Sequence, residues 1–229
     1  TLAVAVSLFL TPVVSLINEW LTNRSSTAAA PDYDDMNNEH NPVIIAGFGR
    51  VGQIGARLLA IVGKQFTALE IDSSQVDVVR AYGNVVHYGD ASKLELLRAA
   101  GAQHAKIFFL AIDDVEASMR TAETVVRHFP HLTIVARARN RRHEYHLMDL
   151  GIQYIYRETL FSSLEMGKRL LLDMEIAAVD VEKIIRTFQE RDAQLIKEQH
   201  AVQHNEEQII QSARETALEL ELLLKNDAN

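Results

Sequence analysis

The sequence has no cysteine, which excludes disulfide bonds, thiolate catalysis and cysteine-ligated zinc. It also has no excess of positive charge, because 31 acidic residues outweigh 23 basic ones and the net charge is −8. We therefore expect no nucleic-acid partner. A nucleophile–base–acid set is missing, as are the Tyr-x-x-x-Lys pair of short-chain dehydrogenases and a complete Walker A loop around Gly63 and Lys64. These absences argue against an enzyme.

The stretch from Pro42 to Asp72 carries the clearest positive pattern. A short apolar strand leads into three glycines at G-x-G-x-x-G spacing, Gly47, Gly49 and Gly52. A helical apolar pattern follows at Ile54, Leu58, Leu59 and Val62, and a second strand, from Phe66 to Ile71, carries Glu70. Such glycines allow a tight turn, close approach of a pyrophosphate and close helix packing, while Glu70 is placed to accept ribose hydroxyls. The stretch predicts a nucleotide-binding βαβ unit; the alternative is that the glycines only shape a turn.

Strands and helices continue to alternate through residues 42–157. The further strands are predicted at residues 84–88, 106–112, 132–138 and 153–156, with helices between them. Six alternating strands predict an α/β fold, a Rossmann-like doubly wound parallel sheet of order 3-2-1-4-5-6. We interpret residues 42–157 as the nucleotide-binding domain, which leaves no room for a separate substrate domain.

The two ends of the chain differ in composition from this domain. Residues 1–18 carry no charge, and we interpret residues 1–21 as the end of a last transmembrane helix. A signal peptide and a buried core helix are the alternatives. Residues 22–41 are rich in small, polar and acidic residues, which predicts an acidic flexible linker. Residues 158–229 are predicted as a C-terminal helical arm whose narrow apolar stripe needs the sheet domain or a second copy to cover it, so we expect a homodimer.

Several candidate ligand contacts follow the predicted strands. Gly89, Asp90 and Ala91 follow the third strand, and Ala111 and Asp113 follow the fourth, where an adenosine would lie. Helix capping by Asp90 and Asp113 is the alternative.

Arginines are the second group of candidates. Arg50 lies inside the glycine turn, and strand alternation places Arg137 and Arg139 on one face. Buried arginines need anionic partners, which are either a ligand or Asp113, Asp114 and Glu158. The spacing of His143 and His146 permits a metal ligand pair, but a solvated helix face fits it better.

At these residues the chain resembles the cytosolic regulatory (KTN/RCK, TrkA-N-like) domain of the glutathione-gated potassium efflux (Kef) systems. The resemblance covers most of residues 42–170. Its motifs are VIIAGFGRVGQ at 43–53, YGDAS at 88–92, AID at 111–113, HFPHLTIVARAR at 128–139 and RETLFSSLEMG at 157–167. The apolar start is similar to the end of the family's antiporter-type membrane domain.

The resemblance implies a regulator of potassium/proton antiport at the bacterial inner membrane, with its domain on the cytoplasmic side. Reduced glutathione would keep the transporter closed and glutathione adducts would open it, bound at a homodimer interface. The resemblance implies that Arg50 and Arg139 would bind the carboxylates of glutathione. It also implies that Asp192, or as a second candidate Gln189, would report the adduct. The resemblance further implies AMP or NAD(H) as the nucleotide and allows an ancillary flavoprotein partner. Its contacts would be Gly47, Phe48, Gly49, Arg50, Val51, Gly52, Glu70, Asp72, Gly89, Asp90, Ala91 and Ala111.

The chain departs from the family's usual sequence in two places, and three functions are alternatives to the regulatory role. The segment around Phe188 is less basic than is usual in the family, and RETL replaces the usual RETF. The rivals are an NAD-dependent oxidoreductase, the peripheral nucleotide-binding subunit of a potassium uptake system, and a membrane-tethered redox sensor without transport. The first is disfavoured by the missing catalytic set and the second by the apolar N-terminal segment.

Overall fold

The computed structural model of the chain describes residues 41–76 and 86–201. The predicted transmembrane end, nearly all of the linker and the last 28 residues lie outside these ranges. Among the described helices, none is both long and apolar enough to cross a membrane. The predicted domain boundaries stay predictions.

Six parallel strands form one sheet, in the order β3-β2-β1-β4-β5-β6. The predicted order is confirmed. The strands are β1 (Val43–Ala46), β2 (Phe66–Glu70), β3 (His87–Tyr88), β4 (Ile107–Leu110), β5 (Thr133–Ala138) and β6 (Tyr154–Arg157). The strand order reverses between β1 and β4, which pair in register from Val43 with Ile107 to Ala46 with Leu110. A ligand cleft is expected at this switch point, at the carboxyl ends of the strands.

Six helices connect and follow the strands in the described residues. They are α1 (Arg50–Ile61), α2 (Leu94–Ala99), α3 (Val115–His128), α4 (Arg141–Asp149), α5 (Leu160–Asp173) and α6 (Ala178–Ala201). A helical segment also begins at residues 73–76. The helices of the sheet domain lie between the strands, as predicted, and α5 and α6 divide the described part of the predicted helical arm at a break after Asp173.

The core lies where β1 is covered on both faces. Its four residues are at most 6% exposed, as expected for a central parallel strand. Phe48, which is 1% exposed, packs with Ala56, Ala68 and Val76 on one side of the sheet. The apolar pattern of α1 does not all face this core. Leu59 packs against it, whereas Ile54, Leu58 and Val62 are 59–65% exposed.

Candidate nucleotide cleft and strand-end arginine cluster

A cavity of about 380 Å³ opens at the carboxyl ends of β1, β2, β3 and β4. This is the switch point of the sheet, the position that nucleotides occupy in doubly wound folds. Nine of the twelve predicted nucleotide contacts line it, namely Gly47, Gly49, Arg50, Glu70, Asp72, Gly89, Asp90, Ala91 and Ala111. Phe48, Val51 and Gly52 are not among the lining residues. Phe48 is buried in the core, and Gly52 is buried under the loop.

The glycine loop has the geometry that its spacing predicts. Gly47 has φ +88°, and a Cβ there would lie 2.8 Å from the backbone nitrogen of Ile112. A Cβ on Gly52 would lie 2.1 Å from the carbonyl oxygen of Gly47, so this glycine lets α1 start directly under the turn. Gly49 has nothing within 4 Å of its Cβ position, and that space opens next to the N-terminus of α1. The loop therefore fits a phosphate held by backbone N–H groups.

Glu70 links the glycine loop to the end of β2. Its Oε2 accepts the backbone N–H of Phe48 at 2.7 Å. Its Oε1 accepts the backbone N–H groups of Ile71 and Asp72 at 2.8 and 3.0 Å. A carboxylate has about four acceptor positions, so one on Oε2 remains for a ribose hydroxyl. Glu70 thus organises the loop and still faces the cleft.

Two other cleft carboxylates also bond to nearby backbone. Asp72 accepts from the N–H of Ser74 at 3.0 Å and from its hydroxyl at 2.6 Å, and these hydrogen bonds lower the pKa of Asp72. Asp90 accepts the N–H of Ser92 at 2.9 Å.

The capping role at the start of α3 belongs to Asp114 instead of Asp113. Asp114 accepts the N–H of Ala117 at 2.8 Å. The alternative of capping by Asp113 was therefore wrong by one residue, and Asp113 is left to pair with arginines.

Arginines cluster with two carboxylates at the ends of β5 and β6. Arg137 is 7% exposed and donates to Asp113, to Glu158 and, at 3.2 Å, to the carbonyl oxygen of Ala111. Arg139, which is 53% exposed, reaches Asp113 at 2.7 Å. Partial burial of Asp113 works in the opposite direction, but the positive charges of Arg137 and Arg139 lower its pKa. Of the partners that the sequence left open, the structure selects Asp113 and Glu158.

Arg50 lies at the rim of this cluster. Its side chain is 86% exposed and lies 3.5 Å from Glu158, which is a long contact. A guanidinium held this loosely can exchange its partner for an incoming carboxylate at low cost. Arg50 and Arg139 thus both meet the Arg137–Asp113–Glu158 group, from the glycine loop and from β5.

Asp192, the residue predicted to report the adduct, belongs to a second ion cluster. It is 5% exposed on α6 and pairs with Arg141 at 2.5 Å and with Arg157. Arg157 also contacts Glu144 at 3.0 Å, and burial raises the pKa of Glu144. Gln189, one turn earlier on α6, is half-buried. Asp192 thus helps to hold α6 against α4 and β6, and its role in reporting the adduct stays a prediction.

His143 is buried, so the solvated helix face expected for it was wrong. It is 1% exposed, and its Nδ1 accepts the backbone N–H of Arg139 at 3.2 Å. Burial lowers the pKa of His143. Its role is to fix the backbone that presents Arg139. In the described ranges, no group of three or more histidine or acidic side chains is arranged to hold a metal ion.

Sequence reasoning missed several residues of the cleft, and Arg120 is the main one. Arg120 lies in the second turn of α3 and lines the cavity together with Gln75 and Ala117. The signal was its spacing, because residues 117 and 120 follow the end of β4 at i and i+3 and share one face of the helix.

Together, the fold and the cleft define the class of the protein. It is a Rossmann-like domain with a cleft at the switch point of its sheet and an arginine–carboxylate cluster at its strand ends. The model of the TrkA-N domain family matches residues 43–158, just over half of the chain. The model of the potassium efflux system KefB C-terminal domain matches residues 162–229.

Known proteins give the same result. The glutathione-regulated potassium-efflux system protein KefC of Escherichia fergusonii is 37% identical over 205 residues, which are 90% of this chain and 33% of that protein. The chain therefore spans about a third of the length of the curated relatives it matches. The Kef CTD of Shewanella denitrificans, in its AMP-bound form, is 37% identical with a TM-score of 0.64, over 70% of this chain and 98% of that one. The GsuK RCK domain is 25% identical with a TM-score of 0.53, over 62% of this chain and 30% of that one.

The chain belongs to the TrkA-N domain family. Its C-terminal match and its relatives make it a regulatory domain of the Kef type, as the motifs predicted.

Proposed function

We propose that this chain is the ligand-sensing part of a potassium efflux transporter that works by potassium/proton antiport. In this proposal it binds AMP or NAD(H) in the cleft, and glutathione or its adducts at the strand-end arginines. The observation that carries the proposal is the position of Arg50 and Arg139, two exposed guanidiniums that contact the Arg137–Asp113–Glu158 cluster beside the cleft at the switch point.

The nucleotide part of the proposal rests on the fit of the cleft. Gly49 leaves space at the start of α1 for a phosphate, and Glu70 keeps one acceptor position for a ribose hydroxyl. Asp72 and Asp90 lie on the same side and can accept hydrogen bonds from further hydroxyl or amino groups. The Kef CTD of Shewanella denitrificans, which is 37% identical, has been solved with AMP. A nucleotide held this way is structural or regulatory, since the proposal assigns no reaction to it.

The glutathione part rests on charge and geometry. Glutathione carries two carboxylates, and guanidinium groups bind carboxylates in a bidentate manner. Arg139 can release Asp113 partly, because Arg137 stays bound to the same carboxylate. Arg50 has a long contact to give up. Both arginines can therefore turn to a ligand while the buried Arg137 keeps the strand ends together.

The gate in this proposal is a homodimer of the regulatory domain attached to its own transmembrane antiporter domain. Glutathione and an adduct share one anchor, so the adduct must favour a different dimer arrangement through its extra group. Asp192 is the first candidate for reporting the adduct, and a bound adduct would have to compete with its two arginine partners. The half-buried Gln189, one turn earlier on α6, is the second candidate. An ancillary flavoprotein and a site at the bacterial inner membrane belong to the same proposal.

The test is a calorimetric titration of the chain with glutathione. We expect Arg139→Gln to weaken binding at least about tenfold, because one charge-assisted carboxylate contact is lost. Arg142→Gln is the matched control, an exposed arginine three residues further along that should leave the affinity unchanged. In the whole transporter, Arg139→Gln should abolish ligand-dependent potassium efflux. Equal glutathione affinity in the wild type and Arg139→Gln would show that Arg139 does not bind glutathione.

A further inference from the structure

Arg120 is an exposed cation on the wall of the nucleotide cleft. It lines the cavity from α3, and its side chain is 59% exposed. Its ion-pair contact is Glu116, one turn earlier on the same helix, at 3.9 Å. Such a long and exposed i,i+4 pair contributes a few tenths of a kcal/mol at most. Arg120 is therefore not needed to hold the fold and is available to a ligand.

The other arginines of the cleft are directed elsewhere. Arg137 is 7% exposed and saturated by Asp113, Glu158 and the carbonyl of Ala111. Arg50 leans from the glycine loop towards Glu158 at the end of β6. Arg120 thus supplies a positive charge to the cleft that is independent of the strand-end cluster.

Charge is distributed unevenly across the cleft. On the side of β2 and β3, the described lining residues include the carboxylates of Glu70, Asp72 and Asp90 and no cation. That side suits the hydroxyl and amino groups of a nucleoside and repels phosphate. A phosphate chain must therefore leave the glycine loop towards the other side of the cleft.

On the side of β4 and α3, the lining residues include cations as well as carboxylates. Asp113 is paired with Arg137 and Arg139, and Arg120 lies on α3 beside Asp114 and Ala117. Arg120 thus provides a cation for a second phosphate, beyond the one on the glycine loop. AMP has no second phosphate to make this contact.

We propose that Arg120 binds the second phosphate of the nucleotide, so that the cleft prefers nucleoside diphosphates and dinucleotides to AMP. This inference rests on the nucleotide part of the proposed function and adds a selectivity to it. The selectivity comes from a side chain that the glycine-loop motif does not include.

The test compares AMP, ADP and NAD by calorimetric titration of the whole chain, in EDTA so that no metal ion bridges the phosphates. We expect the wild type to bind ADP about tenfold more tightly than AMP, and Arg120→Gln to lose that difference while keeping its AMP affinity. Arg120→Lys should keep part of the preference. Arg127→Gln, an exposed arginine seven residues further along α3, is the matched control and should behave like the wild type.

Each other outcome overturns the inference in a distinguishable way. Equal affinity of the wild type for AMP and ADP would refute the selectivity while leaving nucleotide binding intact. An equal loss for both ligands in Arg120→Gln would assign Arg120 to the first phosphate. No binding of any of the three nucleotides would instead refute the nucleotide part of the proposed function.

Discussion

Glu70 shows how one side chain can serve both the fold and a ligand. The usual interpretation of an acid at the end of the second strand is a ribose contact. Here the carboxylate first joins the glycine loop to the end of β2 through three backbone N–H groups. The loop conformation that would receive the phosphate therefore depends on the residue that would receive the ribose.

We predict that Glu70→Gln weakens AMP binding about tenfold, because an amide offers one acceptor oxygen in place of two. Thermal unfolding measured with increasing AMP would report this as a smaller rise in melting temperature. Glu95→Gln, at an exposed position of α2, is the control and should retain the full rise. The same rise in the wild type and Glu70→Gln would exclude Glu70 from the nucleotide site.

At this scale, local patterns were predictable and distant pairings were not. The positive φ of Gly47 and the close approach of Gly52 to the carbonyl oxygen of Gly47 are local features of the glycine turn, so spacing alone indicated them. The partners of Arg137 are Asp113 and Glu158, which are 24 and 21 residues away, and the sequence left several candidates open. Arg120 was missed because only the folded structure shows that its face of α3 lines the cleft.

At the scale of elements, some helix ends are indicated by the sequence and others are not. Helices α1, α2 and α4 are each followed, two residues after their last residue, by a glycine with positive φ. These glycines are Gly63, Gly101 and Gly151. At each end two backbone N–H groups return to the last turn, the pattern that favours glycine at this position. After α5 the residue with positive φ is Glu175, at 64°; its N–H donates to the carbonyl oxygen of Leu172, and the N–H of Ile176 donates to that of Leu171. No glycine marks this end, which is why the sequence did not indicate a break within the predicted helical arm.

The long helix α6 is attached to the sheet domain by polar contacts that the sequence did not indicate. Asp192 joins it to Arg141 of α4 and Arg157 of β6, and Gln199 accepts the hydroxyl of Tyr145 at 2.8 Å. These pairs join residues 35 to 54 positions apart. The apolar periodicity of α6 predicted a helix but carried no information about its partner.

We predict that Asp192→Asn releases α6 from the sheet domain. The substitution leaves the charges of Arg141 and Arg157 without their common carboxylate, at a cost of about 3 kcal/mol for a broken buried pair. Hydrogen exchange should become faster along α6 while β1 and β4 stay protected. Asp180→Asn, at the exposed start of the same helix, should change neither. Unchanged exchange along α6 in Asp192→Asn would show that apolar contacts hold the helix instead.

At the scale of the whole molecule, exposed apolar surfaces on α1 and α5 differ in their charges. The surface of α1 combines Ile54, Leu58 and Ile61 with Arg57 and Lys64, so pairing it with a second copy would bring like charges together. The surface of α5 has Met166, Leu170 and Met174, which follow each other at i, i+4 and i+8 and are all 65–73% exposed. Beside it Lys168 is already paired with Glu182. The α5 surface is therefore the one suited to a symmetric dimer.

We predict that Leu170→Glu disrupts the proposed homodimer, because the substitution would bury a charge on each side of a symmetric apolar contact. The dimer dissociation constant should rise at least about tenfold. Light scattering in mild detergent, which keeps the apolar first residues in solution, measures the change in mass with concentration. Leu170 is 65% exposed, so the fold should survive. Ile61→Glu on α1 is the matched control and should leave the dimer intact; a loss of the dimer in Ile61→Glu alone would move the interface to α1.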